Sequence, residues 1–162
     1  MGFIRIKKIK GKEYAYLVEN KWYKRGFAAK GKGSRQSVSK YLGRVYSFGR
    51  AQDIGFLEFL NQQEYEQYLI HHTQEEILRD LVLWELARNG VERSLFVVDF
   101  KAKKIRKDGK EVSLKFNEGF LNSYTLRRLY SLDDEDSMHL AKCFIEAGIE
   151  IPKEVFVGLF VE

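Results

Sequence analysis

An alternation of polar and apolar side chains over the first part of the chain is the feature that most constrains the fold. Residues 3–9 ("FIRIKKI") alternate charged side chains with isoleucines, and residues 13–23 ("EYAYLVENKWY") place tyrosines on one face and Ala and Leu on the other. A period of two with aromatic and β-branched residues is typical of β-strands. Residues 10–12 ("KGK") are typical of a turn, and residues 35–48 form a third candidate strand. The sequence therefore predicts a three-stranded antiparallel meander over residues 3–48.

Helix patterns dominate the rest of the chain. Apolar residues spaced by three and four predict a long helix over residues 62–89, and Thr73 begins a capping-box pattern (T-x-x-E) inside it. Asn117 is a candidate cap for a helix over the residues after it, and further C-terminal helices are expected. Residues 152–161 fit either a last helix or, because they are rich in valine and phenylalanine, a strand.

A β-hairpin interrupts this helical part. Residues 94–116 predict a strand followed by a hairpin, because Asp108-Gly109 is a favoured pair for a type I′ turn. We therefore expect an α+β protein of two parts. A three-stranded antiparallel basic meander (residues 1–50) is followed by a mostly helical acidic domain with a β-hairpin (residues 51–162).

The charge is divided unevenly between these two parts. Residues 1–50 hold 14 Lys and Arg against 2 acidic residues, which gives a formal charge of +12. Residues 51–162 hold 14 Lys and Arg against 21 acidic residues, which gives −7. Such an asymmetry predicts an element that binds a polyanion, joined to an ordinary acidic domain.

The basic residues of the meander alternate with aromatic residues and glycines, which is a pattern of nucleic-acid-binding surfaces. Lys and Arg displace counterions from phosphates, and Arg and Gln can also read base edges. An alternative interpretation is a solvated strand edge whose lysines only protect it from aggregation. We favour non-catalytic binding of nucleic acid, DNA ahead of RNA, through these residues: Arg5, Lys7, Lys10, Lys12, Lys21, Trp22, Lys24, Arg25, Lys30, Lys32, Arg35, Gln36, Lys40 and Arg44.

The stretch "RQSVSKYLG" gives this hypothesis its most specific form. If it is a strand, its side chains alternate between the two faces of a sheet. The alternation predicts that Arg35, Ser37 and Ser39 lie on the exposed face, and that Val38 and Leu42 face the protein.

Four short motifs give the meander a resemblance to a known kind of segment. They are residues 10–12 (KGK), 16–19 (YLVE), 35–36 (RQ) and 40–43 (KYLG). In this order they resemble the opening segment of many prokaryotic insertion-sequence transposases and of some archaeal proteins. The resemblance covers the meander alone and implies a part in DNA binding. It implies no catalysis, because the rest of the chain is too short for a transposase catalytic domain and lacks its spacing of acidic residues.

A second hypothesis rests on "FVVDFKAKK", which places Asp99 and Lys101 on one face of a predicted strand. This resembles half of the D/E-x-K motif of metal-dependent nucleases, in which carboxylates hold Mg²⁺ and the lysine steadies the phosphate. The alternative function is therefore a small Mg²⁺-dependent nuclease. A strand end with exposed charges is the simpler explanation, and without the nuclease no cofactor is expected.

Cysteine content and hydropathy limit the remaining possibilities. Cys143 is the one cysteine, so no internal disulfide forms, which fits a reducing compartment. The chain has no secretory signal pattern and no apolar run of the roughly 18 residues that a membrane span needs. We expect a cytoplasmic protein without membrane contact, whose C-terminal part forms a homodimer or docks a partner. A third hypothesis is an adaptor whose basic end contacts an acidic protein.

Overall fold

Seven strands of the described residues form one mixed sheet, with six helices around it. A computed structural model describes residues 2–22, 34–131 and 137–160. The strands are β1 (Gly2–Ile9), β2 (Lys12–Trp22), β3 (Ser34–Ser47), β4 (Val97–Asp99), β5 (Lys104–Lys107), β6 (Lys110–Phe116) and β7 (Gly119–Leu121). The helices are α1 (Phe56–Phe59), α2 (Tyr65–His71), α3 (Gln74–Arg88), α4 (Ser123–Tyr130), α5 (Ser137–Ala147) and α6 (Lys153–Phe160). The sheet order is β1-β2-β3-β6-β5-β4, and β7 pairs with β6.

The first three strands form the antiparallel meander. Lys10 and Gly11 connect β1 to β2, and both have positive φ, 51° and 81°, as a two-residue type I′ turn requires. The register then pairs Ile6 with Ala15, so both side chains lie on the same face. The hairpin of β5 and β6 uses the same turn chemistry, because Asp108 and Gly109 have φ of 53° and 76°.

The predicted fold class is wrong for the chain beyond the meander. After β3 the sheet continues, because β3 pairs in parallel with β6 from Arg44↔Val112 to Ser47↔Lys115. Parallel neighbours need a long crossover, and the segment from α1 to β5 supplies it. The expected mostly helical domain with a hairpin is therefore a mixed α/β arrangement, in which four further strands extend the sheet of the meander.

Two of the predicted helices also differ from the structure. The helix expected over residues 62–89 is two helices, because His72 is extended and Thr73 caps α3 by accepting a hydrogen bond from the Glu76 amide (3.2 Å). The helix expected after Asn117 begins later, and its cap is Asn122. Asn117 instead has φ of 54° in the turn between β6 and β7. Residues 152–161 fitted either a helix or a strand from the sequence, and the structure shows a helix, α6, over Lys153–Phe160.

The main core lies between the second half of the sheet and the helices. Leu81 of α3, Ile105 of β5, Leu114 of β6 and Phe144 of α5 are all buried in one cluster. No helix of the described ranges is long and apolar enough to cross a membrane.

A buried ionic network joins the end of α3 to two loops. Glu85 is completely buried, and its carboxylate accepts hydrogen bonds from both Nε and Nη2 of Arg88. The side-chain amides of Asn89 and Asn117 and the backbone N–H of Glu150 donate to the same carboxylate. Its lone pairs are thus well occupied, which is the condition under which a buried charge is tolerated.

Candidate nucleic-acid interface

The two faces of the meander have different surroundings. One face, called here the packed face, carries Ala15, Leu42 and Val45, which are buried in a small cluster with Phe120 and Tyr124 from β7 and α4. The other, called here the open face, carries the side chains that the register aligns with Tyr16 of β2. Its described members include cations and aromatic rings from all three strands, together with Gln36, Val38 and the buried Val18: Phe3, Arg5, Lys7, Tyr14, Tyr16, Val18, Gln36, Val38, Tyr41, Arg44 and Tyr46.

Three tyrosines form a cluster in the middle of the open face. The ring of Tyr41 lies 5.1 Å from that of Tyr16 and 6.4 Å from that of Tyr14, centroid to centroid, in tilted arrangements. Tyr41 remains 49% exposed, so much of its surface faces solvent. Partial burial and the neighbouring phenol groups raise the pKa of Tyr41. The Tyr41 phenol therefore stays uncharged at neutral pH and adds no negative charge to this basic face.

Cations surround the tyrosine cluster. Lys7 Nζ lies 4.8 Å from the ring centroid of Tyr16, within the range of a cation–π contact. Arg5 Nη1 donates to Gln36 Oε1 at 2.9 Å, which fixes the position of the guanidinium across the sheet.

At the far end of the open face two cations share one aromatic ring. The guanidinium carbon of Arg44 lies 4.9 Å from the centroid of Tyr46, and Lys107 Nζ lies 4.7 Å from the same centroid. Tyr46 in turn packs edge-on against Phe96, at 5.2 Å. Sequence reasoning missed Lys107, because only the β3–β6–β5 pairing brings this residue next to the meander.

Two irregularities in β3 decide which of its residues face outward. The register shifts between Leu17 and Val18 and again between Ala15 and Tyr16, so β3 contains an extra residue at each point. Such bulges reverse the alternation of side chains along the longer strand. Tyr41 consequently joins the open face although simple alternation from Val38 would exclude it.

The bulges also correct the sequence-based assignment of the RQSVSKYLG stretch. Val38, expected to face the protein, is 50% exposed on the open face, and Gln36 shares that face through its bond to Arg5. Arg35 pairs in register with Lys21, and both are exposed on the opposite side. Leu42 is buried on the packed face, as expected. The predicted exposed row of Arg35, Ser37 and Ser39 is therefore not the row that shares a face with the tyrosines.

The other predicted contact residues are spread over the turn, the strand ends and the packed face. Lys10 and Lys12 flank Gly11 at the β1–β2 turn, and Trp22 ends β2. Lys40 points to the packed face, where its Nζ donates to Ser123 Oγ at 3.2 Å. The structure thus brings Arg5, Lys7, Gln36 and Arg44 together on the open face and separates Lys21, Arg35 and Lys40 from them. The remaining four predicted residues lie outside the described ranges: Lys24, Arg25, Lys30 and Lys32.

The alternative nuclease residues lie in a tight turn. β4 ends at Asp99, and Lys101 belongs to the turn after it, so the two do not share one face of a strand. Asp99 Oδ1 accepts the Ala102 N–H at 2.9 Å, and Oδ2 lies 3.6 Å from Arg106 Nη1. The Ala102 N–H, with smaller contributions from Lys101 and Arg106, lowers the pKa of Asp99. Within the described ranges, no group of three or more His, Cys, Asp or Glu side chains could hold a metal ion.

Comparison with known proteins does not identify a function for this surface. No protein-family model, curated protein or solved structure matches the chain. The resemblance of the meander to transposase opening segments therefore stays a prediction from its motifs.

Proposed function

We propose that this protein binds nucleic acid through the open face of the meander, DNA ahead of RNA, and does not cut it. The observation that carries the proposal is that Arg5, Lys7, Arg44 and Lys107 lie on the side of the sheet that carries the exposed Tyr41 and the partly buried Tyr16 and Tyr46. Phosphates complement the cations, and bases complement the rings. The formal charge is +12 in residues 1–50 and −7 in the rest of the chain, so at longer range a polyanion is attracted to the same part of the molecule.

The salt dependence of binding tests the proposal. Each phosphate contact contributes a slope of about −0.7 to −0.9 in a plot of log affinity against log salt. The double variant Lys7→Gln, Arg44→Gln removes two cations of the open face. We expect it to weaken binding and to make the slope shallower by about 1.4 to 1.8, measured by fluorescence anisotropy with labelled duplexes and single strands at several salt concentrations.

A matched control removes the same charge from the other side of the molecule. Arg127 of α4 and Lys142 of α5 are both exposed; α4 contacts the packed face through Ser123 and Tyr124, and α5 packs in the main core through Phe144. The variant Arg127→Gln, Lys142→Gln has the same net charge as the test variant. Equal losses in the two variants would mean that general charge, rather than the open face, drives binding.

The same titrations, repeated with RNA and joined by a cleavage assay in Mg²⁺, separate the alternatives. A Mg²⁺-dependent nuclease requires cleavage that is lost in Asp99→Asn, whereas a binding protein keeps its affinity in that variant. An adaptor for an acidic protein requires that no nucleic acid binds beyond weak, salt-sensitive attraction. The resemblance to transposase segments implies DNA binding, so on that reading DNA should bind more tightly than RNA.

For the C-terminal part we keep dimerisation or partner docking as the proposal. Exposed apolar side chains on two helices support it, namely Ile70, Met138 and Ile145. Sedimentation at several protein concentrations measures self-association directly. The cytoplasm remains the expected compartment, because a single cysteine fits a reducing environment.

A further inference from the structure

We infer that the ligand of the open face is single-stranded nucleic acid, with a base stacked on Tyr41. The inference rests on the proposed function and specifies its substrate class. Three features of the open face carry it: the width of the sheet, the exposure of Tyr41, and the position of the cations around that ring.

The width of the sheet excludes the usual way in which strands read a duplex. A major groove is about 12 Å wide and admits an α-helix or a two-stranded ribbon. Here the register aligns four strands side by side, through Lys7↔Tyr14, Tyr14↔Arg44 and Arg44↔Val112. At about 4.8 Å between neighbouring strands, the backbones of β1 and β6 are about 14 Å apart at this level. Beside Tyr41, outside the Arg44–Ser47 pairing of β3 with β6, the three strands of the meander still put β1 and β3 about 10 Å apart before any side chain is added. β1 and β2 do not project as a separate ribbon either, because β2 is paired with β3 along Tyr14–Trp22.

An open sheet face with exposed aromatic rings suits unpaired bases instead. Every base has a π-face, so stacking on an aromatic side chain is available to any sequence once the base is unstacked from a duplex. Tyr41 offers such a ring, since it is half exposed while Tyr14 and Tyr16 support it from the side. Val38 and Phe3 add exposed apolar surface on the same face.

The cations lie where the backbone of a stacked strand would pass. Lys7 and Arg44 are held on either side of Tyr14 by the register, one on β1 and the other on β3. A nucleic-acid strand with one base stacked on Tyr41 therefore has a positively charged side chain within reach on both sides. An apolar protein partner would leave these cations without counter-charges, and an acidic peptide would leave the rings unused.

The test compares labelled oligothymidylate with a hairpin duplex of equal phosphate number, using the full chain. We expect the single strand to bind more tightly than the duplex. Tyr41→Leu keeps an apolar side chain but removes the ring, and it should weaken single-strand binding by about 5- to 150-fold, the range that one base–aromatic stack contributes. Its salt slope and its affinity for the duplex should not change, because no phosphate contact is removed.

Tyr41→Trp is the matched control, because it keeps an aromatic surface at the same position and should retain single-strand binding. Circular dichroism of each variant checks that the fold is intact. A second readout is independent of affinity: an oligonucleotide with 5-iodouracil should form a photo-crosslink at Tyr41, located by mass spectrometry of the digested protein.

Failure of the inference and failure of the proposed function give different results. If the duplex binds as tightly as the single strand, or if Tyr41→Leu binds like the wild type while Lys7→Gln, Arg44→Gln is weakened, the stacking inference is overturned and the proposed function stands. If polyglutamate displaces the oligonucleotide at equal charge concentration, stacking is likewise overturned. If the wild type binds no nucleic acid at all, the proposed function itself fails.

Discussion

Replacing Gly43 by alanine should destabilise the junction between the meander and the rest of the sheet. Gly43 lies at a bulge of β3, opposite Ala15, and has a φ of 100°. A Cβ built on it would meet the carbonyl oxygen of Glu111 and approach the Cα of Val112 to 2.7 Å. Both obstacles are backbone atoms of β6, so no rotamer change can remove them. The glycine is therefore required by the close approach of β3 and β6 as well as by its own backbone conformation.

The expected loss combines these two effects. A residue with a Cβ held at positive φ costs about 1–2 kcal/mol. Insertion of a methyl group into packed surroundings costs about 1–3 kcal/mol. Gly43→Ala should therefore lower the free energy of unfolding by about 2–5 kcal/mol, a large part of the roughly 5–15 kcal/mol typical of a folded domain.

Gly11→Ala provides the matched control for this prediction. Gly11 also has a positive φ, 81°, but a Cβ there meets nothing within 4 Å. Gly11→Ala should therefore lower the free energy of unfolding only by the conformational cost, about 1–2 kcal/mol. Urea unfolding followed by circular dichroism measures both losses, with an unchanged slope m as the sign that the unfolded state is the same. If Gly43→Ala is no more destabilising than Gly11→Ala, the close approach of β3 and β6 does not constrain this position and the reasoning is refuted.

Two further predictions concern buried polar groups. Glu85→Gln should lower the free energy of unfolding by about 3–5 kcal/mol because it breaks a buried ion pair. Glu146→Gln, at the more exposed pair with Arg128, should cost about 0–1 kcal/mol, and similar losses for the two variants in urea unfolding would contradict the role of the network. Burial raises the pKa of Tyr130 to about 12, from 10.0, so its contribution to stability is complete below pH 10 and declines as the pH rises from there toward 12. Tyr130→Phe should reduce this alkaline loss of stability in urea unfolding at high pH, and an unchanged pH profile would assign the loss to other groups.

Local signals in the sequence predicted local structure well, as two turns illustrate. Gly11 and Gly109 are each the second residue of a two-residue turn, and both turns join strands that are neighbours in the chain. The capping box at Thr73 is also real. A capping box marks the start of a helix, however, so the prediction of one continuous helix over residues 62–89 was inconsistent with it.

The misplaced helix cap shows the limit of such signals. Asn117 and Asn122 both suit a helix N-cap from the sequence alone. β7 separates them and is only three residues long, and those residues pair with β6 rather than enter the helix. So short a strand has too few residues for its alternation to be distinguished from a helical pattern.

Non-local pairing was the part of the fold that the sequence could not provide. Nothing in residues 44–47 indicates that their partners are residues 112–115, because both strands simply alternate. The composition of the open face likewise could not be predicted in full from the sequence. The period of two put Tyr14 and Tyr16 on one face correctly, but the bulges opposite Ala15 and Leu17 added Tyr41 to that face and left Arg35 off it.

The parallel pairing of β3 with β6 also has a consequence for synthesis on the ribosome. Arg44 and Val112 are 68 residues apart, and at about 5–20 residues per second the ribosome needs about 3–14 s to add that many. The meander consists of adjacent hairpins, which close in microseconds, so it can form long before β6 emerges. For those seconds β3 presents an unpaired edge to other nascent chains. We therefore expect the yield of folded protein to depend on how soon β6 is delivered to that edge, and slower translation after residue 50 to increase misassembly.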